Sequence, residues 1–173
     1  PLACPKLPCT VQGPNKSSVT LNTTAELKKH RQSYRDLATT WNPSRWNATD
    51  IAVKAKQAGF RYIVYTTIHC DGFANWPSNT TAYNVMNTPF KRDIFGELAT
   101  AARAQGLKIG AYVCPTLWNN DNFWFPNALT TLSKPDAEMA TYDPVKEPAR
   151  FATYLETLHA LVHEIIEGYT PDL

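Results

Sequence analysis

Twice along this chain a stretch with helical spacing stops at a glycine and gives way at once to a short run of β-branched and aromatic residues. Asn47-Ala48-Thr49-Asp50 opens the first unit, and apolar positions at Ile51, Val53, Ala55 and Ala58 predict a helix that ends at Gly59. Arg61 to Ile68 then has the composition of a strand covered on both faces. The second unit repeats the plan. Ile94, Phe95, Leu98, Ala101 and Ala102 predict a helix over 92–105, Gly106 stops it, and Leu107 to Val113 read as another buried strand. Helix, glycine and strand in that order, twice over, confine the chain to a parallel sheet with right-handed crossovers, either a (β/α)8 barrel or a doubly wound sheet.

The remaining segments fit around those units. A helix from about Glu147 to Gly168 carries Phe151, Tyr154, Leu155, Leu158, Leu161, Val162, Ile165 and Ile166, and Tyr169 to Leu173 read as a turn into a third strand. Upstream, a polar helix is expected from Thr24, with Glu26 in its first turn, to about Leu37, and Trp41-Asn42-Pro43 ends it. Residues 1–24, rich in Pro, Ser, Thr and Asn, read as an irregular N-terminal arm, so the domain proper is expected over 25–173. Two strand-bearing units cannot close an eight-stranded barrel. A sheet this short leaves edges and an apolar face that a companion segment or self-association would have to cover.

Composition removes several function classes. With 43% hydrophobic and 18% charged residues the chain is neither a disordered tail nor a coiled coil, and no run approaches the roughly 20 apolar residues of a membrane span. A net charge of +2, with no basic block to neutralise a row of phosphates, argues against nucleic acid as a partner. Asn15, Asn22, Asn47 and Asn79 each begin an N-x-[ST] acceptor, while Pro43 disqualifies Asn42. Four acceptors in so short a stretch point to a secreted protein or one of a lysosomal or vacuolar lumen. Pro1 to Pro14 lack a basic end followed by an apolar run, so a signal peptide is expected to have been removed already. In an oxidising compartment Cys4, Cys9, Cys70 and Cys114 allow three pairings; proximity favours Cys4 with Cys9, and the fate of Cys70 and Cys114 depends on the fold.

Parallel sheets bind ligands beyond the carboxyl ends of their strands, which directs attention to the loop after the first strand. It runs His69-Cys70-Asp71-Gly72-Phe73-Ala74-Asn75-Trp76-Pro77-Ser78. An imidazole, a carboxylate and an indole together suit a sugar, with hydrogen bonds for the hydroxyls and a ring to stack on its apolar face. The competing reading is that His69 only orders the loop and Trp76 packs on the adjacent helix. Elsewhere there is no glycine-rich phosphate loop, no G-x-S-x-G and no H-E-x-x-H. His159 and His163 share a helix face at i, i+4 without a third ligand, so neither a metal nor a cofactor is assigned.

That loop resembles the segment K-H-H-[DE]-G-F-x-x-W-x-S of the α-L-fucosidases. The likeness extends upstream to Trp41-Asn42-Pro43, Trp46-Asn47-Ala48 and Lys56-Gln57-Ala58-Gly59-Phe60-Arg61-Tyr62, which look like F-N-P, F-D-A and K-x-A-G-x-K-Y. Downstream, Lys91-Arg92-Asp93, Gly96-Glu97-Leu98 and Gly106-Leu107-Lys108-Ile109-Gly110-Ala111-Tyr112 match K-R-D, G-E-L and G-L-K-x-G-x-Y in order and spacing. From Trp41 to Leu173 the resemblance implies part of a (β/α)8 barrel from a retaining exo-glycosidase, in which an aspartate attacks the anomeric carbon of a terminal fucose and a second carboxylic acid protonates the departing oxygen. Fucosylated glycans would be the partner. Sugar-contacting positions carried over from the family are His69, Cys70, Asp71, Trp76, Tyr112 and Trp118, with Cys70 standing where the family has a second histidine.

Three departures follow from the same comparison. The family nucleophile belongs to the strand after the segment like Tyr169-Thr170-Pro171-Asp172-Leu173, and the acid/base carboxylate lies further on, so no catalytic residue is assigned here and the chain alone is expected to be inactive. Asp172 precedes the nucleophile position. The family's F-x-x-H-W-G strand has no counterpart between Leu21 and Trp41, and His30 is not in that context. Finally, Cys70 and Cys114 would cap neighbouring strands about 4.8 Å apart, which implies a disulfide across the top of the sheet rather than two buried free thiols. Two functions remain in competition: part of an α-L-fucosidase, or a non-catalytic glycan-binding or structural subunit of an extracellular assembly.

Overall fold

The computed structural model describes residues 8–12, 17–117, 120, 122 and 144–173. Strands β1 (Cys9–Gln12) and β2 (Ser18–Leu21) pair antiparallel, with Cys9 opposite Leu21. Helix α1 (Thr24–Asp36) follows, then a 3-10 turn (Leu37–Thr39). Two helix–strand units come next: α2 (Ala48–Gln57) with β3 (Tyr62–Ile68), and α3 (Ile94–Ala104) with β4 (Lys108–Val113). A second 3-10 turn (Val85–Asn87) lies between the two units, and helix α4 (Pro148–Tyr169) is the last described element.

Strands β3 and β4 run parallel, Tyr62 opposite Lys108, as the repeated unit requires. Asn47 and Asp93 cap α2 and α3, their side-chain oxygens accepting from the amides of Asp50 and Gly96. Gly59 and Gly106, at φ +84° and +67°, take the left-handed turn that frees the chain to enter each strand. Each unit is thereby delimited by its own local chemistry. Ala48 and Ala55 of α2 and Phe95, Leu98, Ala99 and Ala102 of α3 join Ile109, Leu161 and Ile165 in the main core. The residues after α4 lie along the free side of β4: Asp172 donates its amide to the carbonyl of Ile109 at 2.7 Å, and Ala111 donates to the carbonyl of Leu173 at 2.9 Å. The expected turn into a third strand thus reaches the sheet edge.

Two expectations need correction. The arm is not irregular at Cys9–Gln12 and Ser18–Leu21, because Val11 and Leu21 bury against each other and give a four-rung ladder a hydrophobic side. The first helix begins at Thr24 as expected, capped by Thr23: its side chain accepts from the amide of Glu26, and the Glu26 carboxylate accepts in return from the amide of Thr23. Finally, among the described residues, β3 is packed against helices on one face only. Tyr62 is 56% and Val64 51% exposed, while Ile63 and Tyr65 pack on the core. Helices cover one face of this two-stranded sheet, while on the other, among the described residues, Leu173 lies over Gly110 and Tyr62 and Val64 stay exposed. That is the shape expected of part of a barrel rather than a closed one.

Candidate functional site

The carboxyl end of the sheet is shaped by an irregularity in β3. Pairing runs evenly to Thr66 opposite Tyr112, then skips, so that Ile68 stands opposite Val113. Thr67 fills the extra position, fully buried, and its hydroxyl donates to the carbonyl of Tyr112 at 2.8 Å. A single inserted residue inverts the alternation of everything beyond it. Thr66 is exposed, Thr67 and Ile68 are both buried, and His69 emerges on the open side. There its ring lies 6.0 Å from that of Tyr112, with planes 26° apart. Both side chains are exposed, Tyr112 to 44%. An imidazole and a phenol, each carrying hydrogen-bonding atoms and a flat face, therefore stand together where a parallel sheet presents its ligands.

A disulfide joins Cys70 to Cys114 immediately beside this pair, their Cα atoms 5.4 Å apart, in agreement with the bridge expected from the strand ends. The amide of Cys114 donates to the carbonyl of Ile68 at 3.1 Å, and the Thr116 hydroxyl lies 3.1 Å from Cys70 Sγ and 3.0 Å from Cys114 Sγ. Cys70 is thus committed to a covalent tie. Cys9 is also disulfide-bonded; its expected partner, Cys4, lies outside the described residues.

Two other positions proposed to touch sugar are turned to structural work. Trp76 is 1% exposed and donates its indole N–H to Glu164 Oε2 on α4 at 2.9 Å, so the expectation that it offers a stacking face is corrected in favour of packing on the adjacent helix. Asp71 accepts the Tyr34 hydroxyl at 3.0 Å and the Phe73 amide at 3.3 Å, tying the loop to α1. Burial, then the charge of Asp71 and the hydrogen bond to it, push the Tyr34 phenol up to about 12. Trp118 lies outside the described residues.

Glu164 is the residue that sequence reasoning missed. Its carboxylate accepts from the Trp76 indole, the amides of Asn79 and Thr80, and the Thr80 hydroxyl, all within 2.8–2.9 Å. Burial would raise its pKa, but the hydrogen bonds from Ser78, Thr80, Trp76 and Asn79 outweigh that and leave it lowered. One anion on α4 thereby fixes the far half of the loop that begins at His69. Beneath that loop is a cavity of about 250 Å³ walled by Arg35, Gly72, Thr80, Thr81, Tyr83 and Asn120 among others. Of the four acceptor asparagines, Asn15 lies outside the described residues, and Asn22, Asn47 and Asn79 are exposed. Among the described residues no helix is long and apolar enough to cross a membrane.

A family model described as alpha-L-fucosidase matches residues 9–173. The chain is similar to alpha-L-fucosidase 1 of Arabidopsis thaliana, 37% identical over 78 residues, which are 43% of this chain and 15% of that protein. It is similar to the tissue alpha-L-fucosidase of Homo sapiens, 35% identical over 81 residues, 46% of this chain and 17% of that one. Among solved structures, an α-L-fucosidase of Bacteroides thetaiotaomicron trapped as a covalent intermediate with 2-fluoro-fucosyl fluoride superposes with a TM-score of 0.67 at 30% identity, covering 84% of this chain and 31% of that one. A Lactobacillus casei α-L-fucosidase bound to α-L-fucose gives 0.52 at 47% identity, over 54% of this chain and 30% of that one. The chain spans well under two thirds of the length of these relatives.

Proposed function

This chain belongs to the α-L-fucosidase family, and from that membership we propose that it forms the part of a fucosidase barrel that grips terminal fucose on a glycan. The observation that carries the reading is the pair His69 and Tyr112, exposed and stacked at the carboxyl ends of two parallel strands. A fucose ring presents hydroxyls on its edge and a C–H face. His69 supplies a donor or acceptor at each nitrogen, and Tyr112 supplies a hydroxyl and a ring face beside it. The disulfide at Cys70 forms the floor where a second imidazole would otherwise stand, so fewer hydrogen bonds to sugar come from this loop.

In this reading the reaction is the retaining hydrolysis of terminal α-L-fucose. A carboxylate attacks the anomeric carbon, the glycosidic oxygen leaves with a proton from a second carboxylic acid, and water then releases fucose from the glycosyl-enzyme. Both carboxylates are taken from a segment other than these 173 residues, which would also cover the open face at Tyr62 and Val64. The protein would work in a secretory, extracellular or lumenal compartment, in keeping with its disulfide and its exposed acceptor asparagines. The non-catalytic reading draws no support from relatives named for the hydrolytic activity.

Hydrolysis of 4-nitrophenyl α-L-fucoside, with intact mass recorded on the same sample, tests this. A preparation that contains a further segment is expected to release 4-nitrophenol, and the chain alone is not. Turnover by a homogeneous species of this chain's mass plus glycans would contradict the borrowed carboxylates, and no turnover by the joined segments would contradict the activity.

A further inference from the structure

His69 does more than face Tyr112. One nitrogen of its ring and the sulfurs of Cys70 and Cys114 all lie within 4.8 Å of one another. In a tetrahedral zinc site, bonds of about 2.3 Å to sulfur and 2.0–2.1 Å to imidazole nitrogen place such ligand atoms roughly 3.5–3.8 Å apart. The three atoms therefore need to move by only about an ångström each to reach that arrangement. Cys114 is buried and Cys70 half-buried, which shelters the sulfurs, while His69 is exposed and gives an ion a way in. Thr116 already stands within hydrogen-bonding reach of both sulfurs and can donate to a thiolate, as outer partners of metal sites do. We propose that this disulfide conceals a metal site: once Cys70 and Cys114 are reduced, their thiolates and the His69 imidazole hold one soft divalent cation, with a fourth position open to water.

The chemistry balances with a dithiol as reductant. Two electrons and two protons pass from the dithiol, which closes to a cyclic disulfide, and the S–S bond opens to two thiols. The cation then displaces the two thiol protons as it binds. Oxidation by another disulfide expels the ion and restores the bridge. Because His69 is also the imidazole assigned to sugar hydroxyls, a bound ion would withdraw it from that role; this consequence rests on the function proposed above, whereas the metal site does not.

The test uses the 173-residue chain with Cys4→Ser and Cys9→Ser, so that one cysteine pair remains. It is reduced with dithiothreitol, freed of reductant under argon and titrated with Cd²⁺, following the ultraviolet thiolate-to-cadmium charge-transfer band and proton release. One ion per chain with two protons released is expected in the reduced state and none in the oxidised state, and His69→Ala should weaken binding about tenfold or more, no less than loss of an outer-shell partner. Equal behaviour of reduced and oxidised chains, one ion shared between two chains, or an unchanged affinity in His69→Ala would overturn the site. Should reduction alone abolish the helical circular dichroism, its recovery on adding Cd²⁺ supports the site and its failure to recover contradicts it.

Discussion

At the scale of residues, Glu164 of the amphipathic helix α4 gathers four hydrogen bonds from a single loop. Replacing Glu164 by alanine would strand the buried Trp76 indole N–H and the amides of Asn79 and Thr80. Orphaned donors of this kind cost about 1–3 kcal/mol each where water cannot reach them. With part of the loop still wetted, a total of about 2–3 kcal/mol is expected, which lowers the melting temperature by roughly 4–12 °C for a domain of this size. The carboxylate also sets a pH dependence. Its pKa is lowered in the folded chain, so its stabilisation is complete above the unfolded carboxylate value and disappears as pH falls through the lower folded value. Denaturant unfolding across acidic pH should show the native chain losing stability there and Glu164→Gln losing less. A second residue-scale expectation concerns Gly106, where φ is +67°. Alanine at that position should cost about 1–2 kcal/mol through backbone strain alone, since the space around its Cβ is open to within 3.9 Å of the Lys56 ammonium. Trp76 stood out in the sequence but its partner did not: Trp76 and Glu164 are 88 positions apart, and inside a loop no periodicity tells which way an indole turns.

At the scale of elements, the repeated helix–glycine–strand unit was legible because its signals are local. Caps at Asn47 and Asp93, left-handed glycines at 59 and 106 and β-branched runs each act within a turn or two of the chain. The pairing of β1 with β2 was hidden because two four-residue strands carry only Val11 and Leu21 as buried apolar positions, too few to stand out among Ser, Thr and Pro. The bulge at Thr67 was hidden for a different reason: Thr66, Thr67 and Ile68 are all good strand formers, and only the pairing with Tyr112 and Val113 shows which of them is extra. Yet that bulge decides that His69 faces outward. The cysteine pair, in contrast, could be foreseen once both residues were placed at the ends of adjacent strands. It closes a loop across a separation of 44 residues, which a chain-entropy treatment values at about 4 kcal/mol. Cys70→Ser with Cys114→Ser should therefore lower unfolding free energy by about 2–4 kcal/mol in guanidinium titrations.

At the scale of the whole molecule, the described residues form a two-stranded parallel sheet with helices on one face and Tyr62, Val64 and Tyr112 open on the other. An apolar face of that kind is covered in a complete barrel. The chain prepared alone should bind a hydrophobic dye and associate as its concentration rises in sedimentation experiments, and both tendencies should vanish when a segment completing the barrel is present. The central claim is that fucose is held at the carboxyl ends of β3 and β4. It is tested most directly by kcat/KM for an aryl α-L-fucoside, measured on the active protein that carries this chain, with and without His69→Ala and with folding confirmed by circular dichroism. A loss of about 100-fold in the substituted protein, roughly the 2.7 kcal/mol of a hydrogen bond to a reacting sugar, is expected. Activity within a factor of two of the unsubstituted protein would place the sugar somewhere else.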